Sequence, residues 1–216
     1  MKAISSRTAA HNVVGRAARL RAEQGYTLLE LGVVLGVVAV ISAISVPMIG
    51  AALGGFRLSG DAHSLTNEVT LTKMRAAANF ARERLFVDLT TNGYHMETWN
   101  AAANAWVVEG GTVTLSTSDT FSFGVVGAPP PNTQPAISEA QPCLNTATPA
   151  QPIANTACVV FNSRGVPVDP VNFNPWGGYA LYVTDGTAVW GSTISATGSI
   201  RQWRTAPTVV PAWNLQ

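Results

Sequence analysis

The sequence has little charge and few cysteines. Only 12% of its 216 residues are charged, with 13 Lys and Arg against 12 Asp and Glu, a net charge of +1. The chain beyond residue 25 has a net charge of −3, which disfavours broad electrostatic attraction to nucleic acid. Its two cysteines and its scattered histidines, His11, His63 and His95, form no set of metal ligands at a recognised spacing. We therefore expect neither a metal ion nor a cofactor.

Motifs for catalysis are also missing. The sequence contains no HExxH, GxSxG, CxxC or phosphate-binding loop. We therefore do not expect an enzyme. The 19 glycines and 13 prolines are typical of a β-rich domain with many turns, and such domains are common among exported proteins.

One long apolar run stands near the N-terminus, within EQGYTLLELGVVLGVVAVISAISVPM at residues 23–48. Residues 31–46 carry no charge, and residues 26–46 are numerous enough to cross a bilayer of about 30 Å as a helix. A cleaved signal peptide would have a shorter apolar core and a small-residue site after it, which this run lacks. We predict a transmembrane helix over residues 26–46.

Charge is distributed unequally around this run. Residues 1–25 hold five basic side chains and one acidic, a net charge of +4, and the remaining residues have a net charge of −3. Basic segments stay on the cytoplasmic side of a membrane. Residues 1–25 are therefore expected in the cytoplasm, and the chain beyond the run is expected to be exported.

Glu30 places a carboxylate close to the start of the apolar run. It is either an interfacial residue without a special role or a group that needs a partner. Cleavage between Gly25 and Tyr26 would create an α-amino group near this carboxylate, and the amine of one subunit could neutralise the carboxylate of the next. Such a pair would matter most in an apolar assembly, where an unpaired charge is costly.

The sequence GYTLLE resembles the processing motif of type IV pilins and type II secretion pseudopilins, as do the apolar run and Pro47 after it. The resemblance implies that prepilin peptidase cleaves after Gly25 and methylates Tyr26, where the family usually has Phe. It also implies that Glu30 guides docking into a filament and that Pro47 kinks the helix. The alternative is a single-span membrane protein in which GYTLLE is accidental.

The exported part is predicted to be an α+β domain, with the long N-terminal helix packed on an antiparallel sheet. Residues 47–83 continue the helix as an amphipathic segment. Residues 84–216 contain short strand-like runs, including NAWVVE, TVTLS, TAVWG and STISAT. The apolar face of the amphipathic segment is expected to comprise Leu58, Ala62, Leu65, Val69, Ala76 and Phe80.

A proline-rich segment interrupts the strand pattern at residues 127–152 and is expected to be an exposed loop. Cys143 lies within this segment and Cys158 opens the next strand. A disulfide between them would close a loop of about 15 residues and contribute roughly 3 kcal/mol. Two unpaired thiols are the alternative.

Several runs beyond the helix resemble the pseudopilin-H (GspH)/FimT family of minor pilins and minor pseudopilins: ANFARERLFVDLT, strands containing Trp99 and Trp106, VVFNSRGVPV, ALYV and GSIRQWR. The resemblance implies a type IV pilin-like fold and a structural subunit of a pilus or secretion pseudopilus. Its partners would be other pilins or pseudopilins, prepilin peptidase and the bacterial inner membrane, with the globular domain periplasmic or on an extracellular pilus.

The C-terminal region suggests an alternative function. Some FimT-like minor pilins take up DNA through a Gly-Arg-x-Arg motif, and the nearest match here places Arg201 and Arg204 on either side of Trp203. Arginines would bind phosphate and the ring would stack on a base. Positions three apart on a strand face opposite sides, so these residues could instead be ordinary surface arginines.

Overall fold

The computed structural model describes residues 26–216, except for the side chains of residues 46, 47, 51 and 52. The expected leader, residues 1–25, lies outside the described residues. The chain divides into two units, with the boundary between Val46 and Pro47. Helix α1, Leu28–Ala78, contributes to both units, and all strands belong to the second.

Within the second unit, one face of α1 is buried. Leu58, Ala62, Leu65, Val69 and Ala76 are each at most 1% exposed, which confirms the predicted apolar face at these positions. Burial of a Leu or Val side chain contributes about 1.5–3 kcal/mol, so this face holds the helix to the sheets.

The helix ends at Ala78, earlier than the expected position 83, and the prediction for Phe80 was wrong. Phe80 has a φ of 50° and is 84% exposed. A left-handed residue just after a helix is a common C-terminal signal. The side chain of Asn79 donates a hydrogen bond of 3.0 Å to Glu83 and so joins this turn to the first strand.

In residues 26–216 the strands form two antiparallel sheets, whereas we expected one. Sheet one has the order β3-β2-β1-β5 and sheet two the order β4-β6-β7-β8-β9. The strands are β1 Glu83–Asp88, β2 Gly93–Asn100, β3 Ala105–Thr114, β4 Thr120–Phe121, β5 Thr156–Phe161, β6 Tyr179–Thr184, β7 Val189–Ile194, β8 Ile200–Thr205 and β9 Asn214–Leu215.

Two pairs of predicted strands are each one strand in the structure. NAWVVE and TVTLS both contribute to β3, which stays paired to β2 through a register shift between Tyr94 and Met96. Gly110, with a φ of 83°, lies at this irregularity, where a bulge accommodates the extra backbone. Likewise TAVWG and STISAT both contribute residues to β7.

Helix α1 contacts both sheets. Tyr94 on sheet one donates a hydrogen bond of 2.9 Å to Ser64, and Ser192 on sheet two lies 2.7 Å from Thr66, oxygen to oxygen. Side chains from the helix and from both sheets share one buried cluster. The α+β architecture, a long helix packed on antiparallel sheets, is thereby confirmed.

Sheet one has a clear inner and outer face. Leu85 and Val87 on β1 belong to the shared core, whereas Arg84 and Phe86 alternate with them and therefore face outward. Their outer face is covered in part by chain from the proline-rich segment, because Arg84 donates a hydrogen bond of 2.8 Å to the Leu144 carbonyl.

Candidate functional site

The start of helix α1 is capped by Thr27. Its hydroxyl oxygen accepts a hydrogen bond of 3.1 Å from the Glu30 backbone N–H, and its carbonyl accepts one of 3.1 Å from Leu31. Thr followed three residues later by Glu is the residue pair of a capping box. An acidic side chain in the first turn also interacts favourably with the helix dipole. The cap formed by Thr27 is a feature of the helix start that our sequence analysis missed, although the TxxE spacing signals it.

The first part of α1 exposes apolar side chains on every side. Leu28 and Leu29 are 89% and 80% exposed, and the large apolar residues from there to Ile44 are each at least half exposed. A helix that is apolar all round needs lipid or other helices around it. α1 is long and apolar enough to cross a membrane by length and composition.

The predicted processing and assembly residues fall partly outside the described residues. Gly25 lies outside them, and Tyr26, 82% exposed, immediately precedes the helix. The backbone of Pro47 lies within the bounds of α1, and the kink expected there stays a prediction. The Ser45 hydroxyl donates a hydrogen bond of 2.8 Å to the Ile41 carbonyl, one turn earlier in the helix.

Cys143 and Cys158 are joined by a disulfide in the structure. Both residues are fully buried and pack with Val160 and Val168 on the outer side of sheet one. The Cys143 N–H donates a hydrogen bond of 3.0 Å to Thr156 Oγ1 at the start of β5. These contacts fix the proline-rich segment to the sheet edge.

Strand β8 does not bring Arg201, Trp203 and Arg204 onto one surface. Gln202 and Arg204 face the helix side, since Gln202 donates to Thr66 on α1 and Arg204 lies 5.7 Å from the ring centroid of Trp190. Arg201 and Trp203 alternate with them and therefore face the other side.

Trp203 is unavailable as a stacking platform. It is only 8% exposed, and its indole N–H donates a hydrogen bond of 2.9 Å to Thr193. Arg201 and Arg204 are both exposed. Because they lie on opposite faces of the strand, each can contact a ligand only on its own face.

A cavity of about 270 Å³ lies on the outer face of sheet one, and our sequence analysis did not predict it. Arg82, Trp99 and Phe173 line it. The pairing of Trp99 with Trp106 across β2 and β3 confirms that these residues lie on paired strands. The sequence does contain one signal for this cavity. Arg82 and Arg84 are two residues apart, so in an extended chain both guanidinium groups lie on one face of the sheet, which is also the face of Trp99 and Trp106.

Metal binding finds no support in the described part of the chain, where no three His, Cys, Asp or Glu side chains come close enough to hold an ion.

The Glu139 carboxyl is buried although the residue as a whole is half-buried, and burial raises its pKa to about 8. Its Oε2 accepts a hydrogen bond of 3.1 Å from the Tyr182 N–H. This carboxyl holds part of the proline-rich segment against β6.

No protein-family model and no curated protein matches this chain. Among solved structures, two of the minor pseudopilin EpsH from the type II secretion system of Vibrio cholerae are similar to it. They share 14% and 15% sequence identity, with TM-scores of 0.34 and 0.35. The alignments cover 74% and 72% of this chain and 96% and 95% of the EpsH chains.

Proposed function

We propose that this chain is a minor pilin or pseudopilin, a structural subunit of a type IV pilus or a type II secretion pseudopilus. The observation that carries the proposal is the position of GYTLLE, directly before a helix whose first part is apolar and exposed on all sides. A processing motif is useful to such a subunit only if the helix behind it can leave the membrane and pack against copies of itself.

The first part of the helix has the length that membrane insertion requires. Residues 28–46 would extend about 28 Å at 1.5 Å per residue, close to the thickness of the hydrocarbon core. The same side chains would be buried again among neighbouring helices in a filament. The same apolar surface would therefore contact lipid before assembly and neighbouring helices in the filament.

Processing between Gly25 and Tyr26 would place an α-amino group close to Glu30. Thr27 already fixes the backbone between them as the helix cap. In a filament core the Glu30 carboxylate would have little water, and an amine from a neighbouring subunit would neutralise it. We propose that this pairing, after methylation of Tyr26, sets the axial position of each subunit.

The location follows from the same features. The basic residues 1–25 would remain in the cytoplasm, residues 26–46 would hold the chain in the inner membrane, and the domain would be periplasmic or carried on the pilus. A buried disulfide fits the oxidising periplasm. The proposed partners are other pilins or pseudopilins and prepilin peptidase, and the role is structural rather than catalytic.

A pair of variants separates the charge of Glu30 from the helix cap formed by Thr27. Glu30→Gln removes the charge but keeps a side chain that suits a capping box, whereas Thr27→Ala removes the cap and keeps the charge. We expect Glu30→Gln to be processed normally, by mass spectrometry of the mature N-terminus, but to be absent from sheared filaments. Thr27→Ala should still assemble.

Two outcomes would contradict the proposal. If mature protein retains residues 1–25, the motif is accidental and the chain is an ordinary single-span membrane protein. If Glu30→Gln enters filaments as well as the unchanged protein does, the carboxylate does not act in assembly.

A further inference from the structure

The cavity on the outer face of sheet one, which we call the Arg82 pocket, lies between two loops and the sheet. Arg82, Trp99 and Trp106 contribute its sheet side, Leu144 one loop and Phe173 the other. The loop that carries Leu144 follows directly after the disulfide-linked Cys143. The walls of the pocket are therefore fixed by covalent and sheet structure.

The Arg82 guanidinium lies against two aromatic rings. Its Cζ atom lies 4.6 Å from the ring centroid of Trp99 and 4.4 Å from that of Phe173. Contacts of this kind attract the cation but use none of its five N–H donors. Among residues 26–216 no carboxylate lies within salt-bridge distance of Arg82.

Burial lowers the pKa of Arg82, and within residues 26–216 no carboxylate is close enough to offset this desolvation. Arg84, two residues further along, is different. It forms a buried ion pair with Glu97 and donates to the Leu144 carbonyl at 2.8 Å. Since Arg84 and Glu97 neutralise each other, the pocket has a net charge of +1, located at Arg82.

Phe173, whose ring contacts Arg82, has an unusual backbone conformation. Its φ is 58°, in the left-handed region that an aromatic residue rarely occupies. Asp169 holds the turn, because its carbonyl accepts a hydrogen bond of 3.0 Å from Phe173 and its carboxylate accepts those of Val171 and Asn172. Backbone strain clusters at binding and active sites, and here the strained residue is the one whose ring packs against Arg82.

These features define the ligand. A guanidinium with free N–H donors matches the two oxygens of a carboxylate. A single uncompensated positive charge matches a monoanion better than a phosphate dianion. The rings of Trp99, Trp106 and Phe173 suit an apolar group, and the cavity also has polar lining residues that could contact a peptide backbone. Its volume of about 270 Å³ is enough for about one amino-acid residue.

We propose that the Arg82 pocket binds a carboxylate of a partner polypeptide, supplied by a free C-terminus or by an Asp or Glu side chain. Arginine and tryptophan are the residues that most often anchor protein interfaces. The pocket lies wholly within the second unit, so this binding is independent of the assembly helix and of the function proposed above.

The test uses the full chain in a nonionic detergent and three small probes. N-acetylleucine offers a terminal carboxylate, N-acetylglutamic acid α-amide offers a side-chain carboxylate, and N-acetylleucinamide offers none. Binding is followed by NMR through the indole N–H signals, with Trp99 and Trp106 assigned by substitution to Phe. We expect at least one acid to shift these two signals and to bind at least about tenfold more tightly than the amide.

Variants show whether Arg82 is responsible. Arg82→Gln should remove the preference for acids, and Arg82→Lys should restore it in part because the charge returns without the planar fork. Arg164→Gln, at an exposed turn outside the pocket, is the matched control and should keep the preference. Unchanged indole signals from the other four tryptophans show that each variant is folded.

The comparison of the two acids identifies the source of the carboxylate. Preference for N-acetylleucine indicates a C-terminus, and preference for the glutamyl probe indicates an acidic side chain. The proposal is overturned if neither acid shifts Trp99 or Trp106 at millimolar concentration, if the amide binds equally well, or if Arg82→Gln keeps the preference.

Discussion

Lys73 on helix α1 donates a hydrogen bond of 2.8 Å from Nζ to the carbonyl oxygen of Gly198, in the turn between β7 and β8. The same lysine also lies against Gly165, in the turn after β5, where an added Cβ would be 3.0 Å from the Lys73 carbonyl oxygen. One helical residue thus holds turns from two parts of the chain, and both turns have a glycine with positive φ at the contact.

We expect Lys73→Met to lower the free energy of unfolding by about 1.5–3 kcal/mol, because the variant has no charged donor and leaves the Gly198 carbonyl without its partner. Urea unfolding of the full chain in detergent, followed by tryptophan fluorescence, measures this. Arg57→Met is the control, since Arg57 is an exposed residue of the same helix. Equal stability of the two variants would show that the Lys73 contact contributes nothing.

Gly165→Ala should destabilise the protein more than Gly186→Ala. Both glycines have positive φ, 71° and 84°, so both substitutions carry a backbone penalty of about 1–2 kcal/mol. Only at Gly165 would the new methyl group also press on the backbone of Lys73, because nothing lies within 4 Å of the Cβ position at Gly186. Thermal unfolding of the two variants side by side gives the difference, and equal shifts in Tm would exclude the close contact.

These contacts show what the sequence could and could not predict. Apolar spacing predicted the buried face of α1 from Leu58 to Ala76. A period near 3.6 residues can be recognised within a single segment, without knowledge of the rest of the fold. It failed at Phe80, where a left-handed turn overrides the pattern. The pocket around Arg82 needs Phe173, which is distant in sequence, so no local pattern contains it. Two sheets were taken for one because the chain order of strands does not reveal which edges remain unpaired.

Removal of the disulfide should lower stability without unfolding the domain. In the chain-entropy model, a loop of 15 residues contributes about 3 kcal/mol. We expect the double variant Cys143→Ala/Cys158→Ala to lose about this amount in urea unfolding, and the unchanged protein to lose a similar amount under reducing conditions. The double variant itself should not respond to the reductant, and any response would reveal an effect of the reductant unrelated to this bond.

Titration of the Glu139 carboxyl should decrease the free energy of unfolding as the pH rises. Burial raises the pKa of its carboxyl from 4.5 to about 8 in the folded chain. The folded state therefore binds the proton more tightly than the unfolded state between these values, and in this interval the free energy of unfolding decreases with increasing pH. The slope is on the order of 1.4 kcal/mol per pH unit, and it vanishes below 4.5 and above 8.

Glu139→Gln isolates this effect, because contributions from all other titrating groups cancel in the difference between variant and unchanged protein. We expect the variant to gain relative stability from pH 4.5 to pH 8, measured by urea unfolding at a series of pH values. A constant difference across this range would mean that the carboxyl stays ionised in the folded chain.

DNA binding through Arg201 and Arg204 can be tested by its dependence on salt. Removing one arginine that binds a phosphate reduces the slope of log K against log salt by about 0.9. If both arginines followed one phosphate backbone, Arg201→Ala/Arg204→Ala would lower the slope by roughly 1.8. Their placement on opposite faces of β8 allows only one of them to bind a phosphate of a given duplex.

We therefore expect the full chain in nonionic detergent to bind duplex DNA weakly. The double variant should change the slope by no more than about 0.9, and Arg164→Ala, at an exposed turn elsewhere, is the control for nonspecific attraction. A change near 1.8 that the control does not show would mean that β8 bends on DNA to bring both guanidinium groups to one side. Because Trp203 donates its indole N–H to Thr193 inside the sheet, such bending would also expose this ring, and its fluorescence would change on binding.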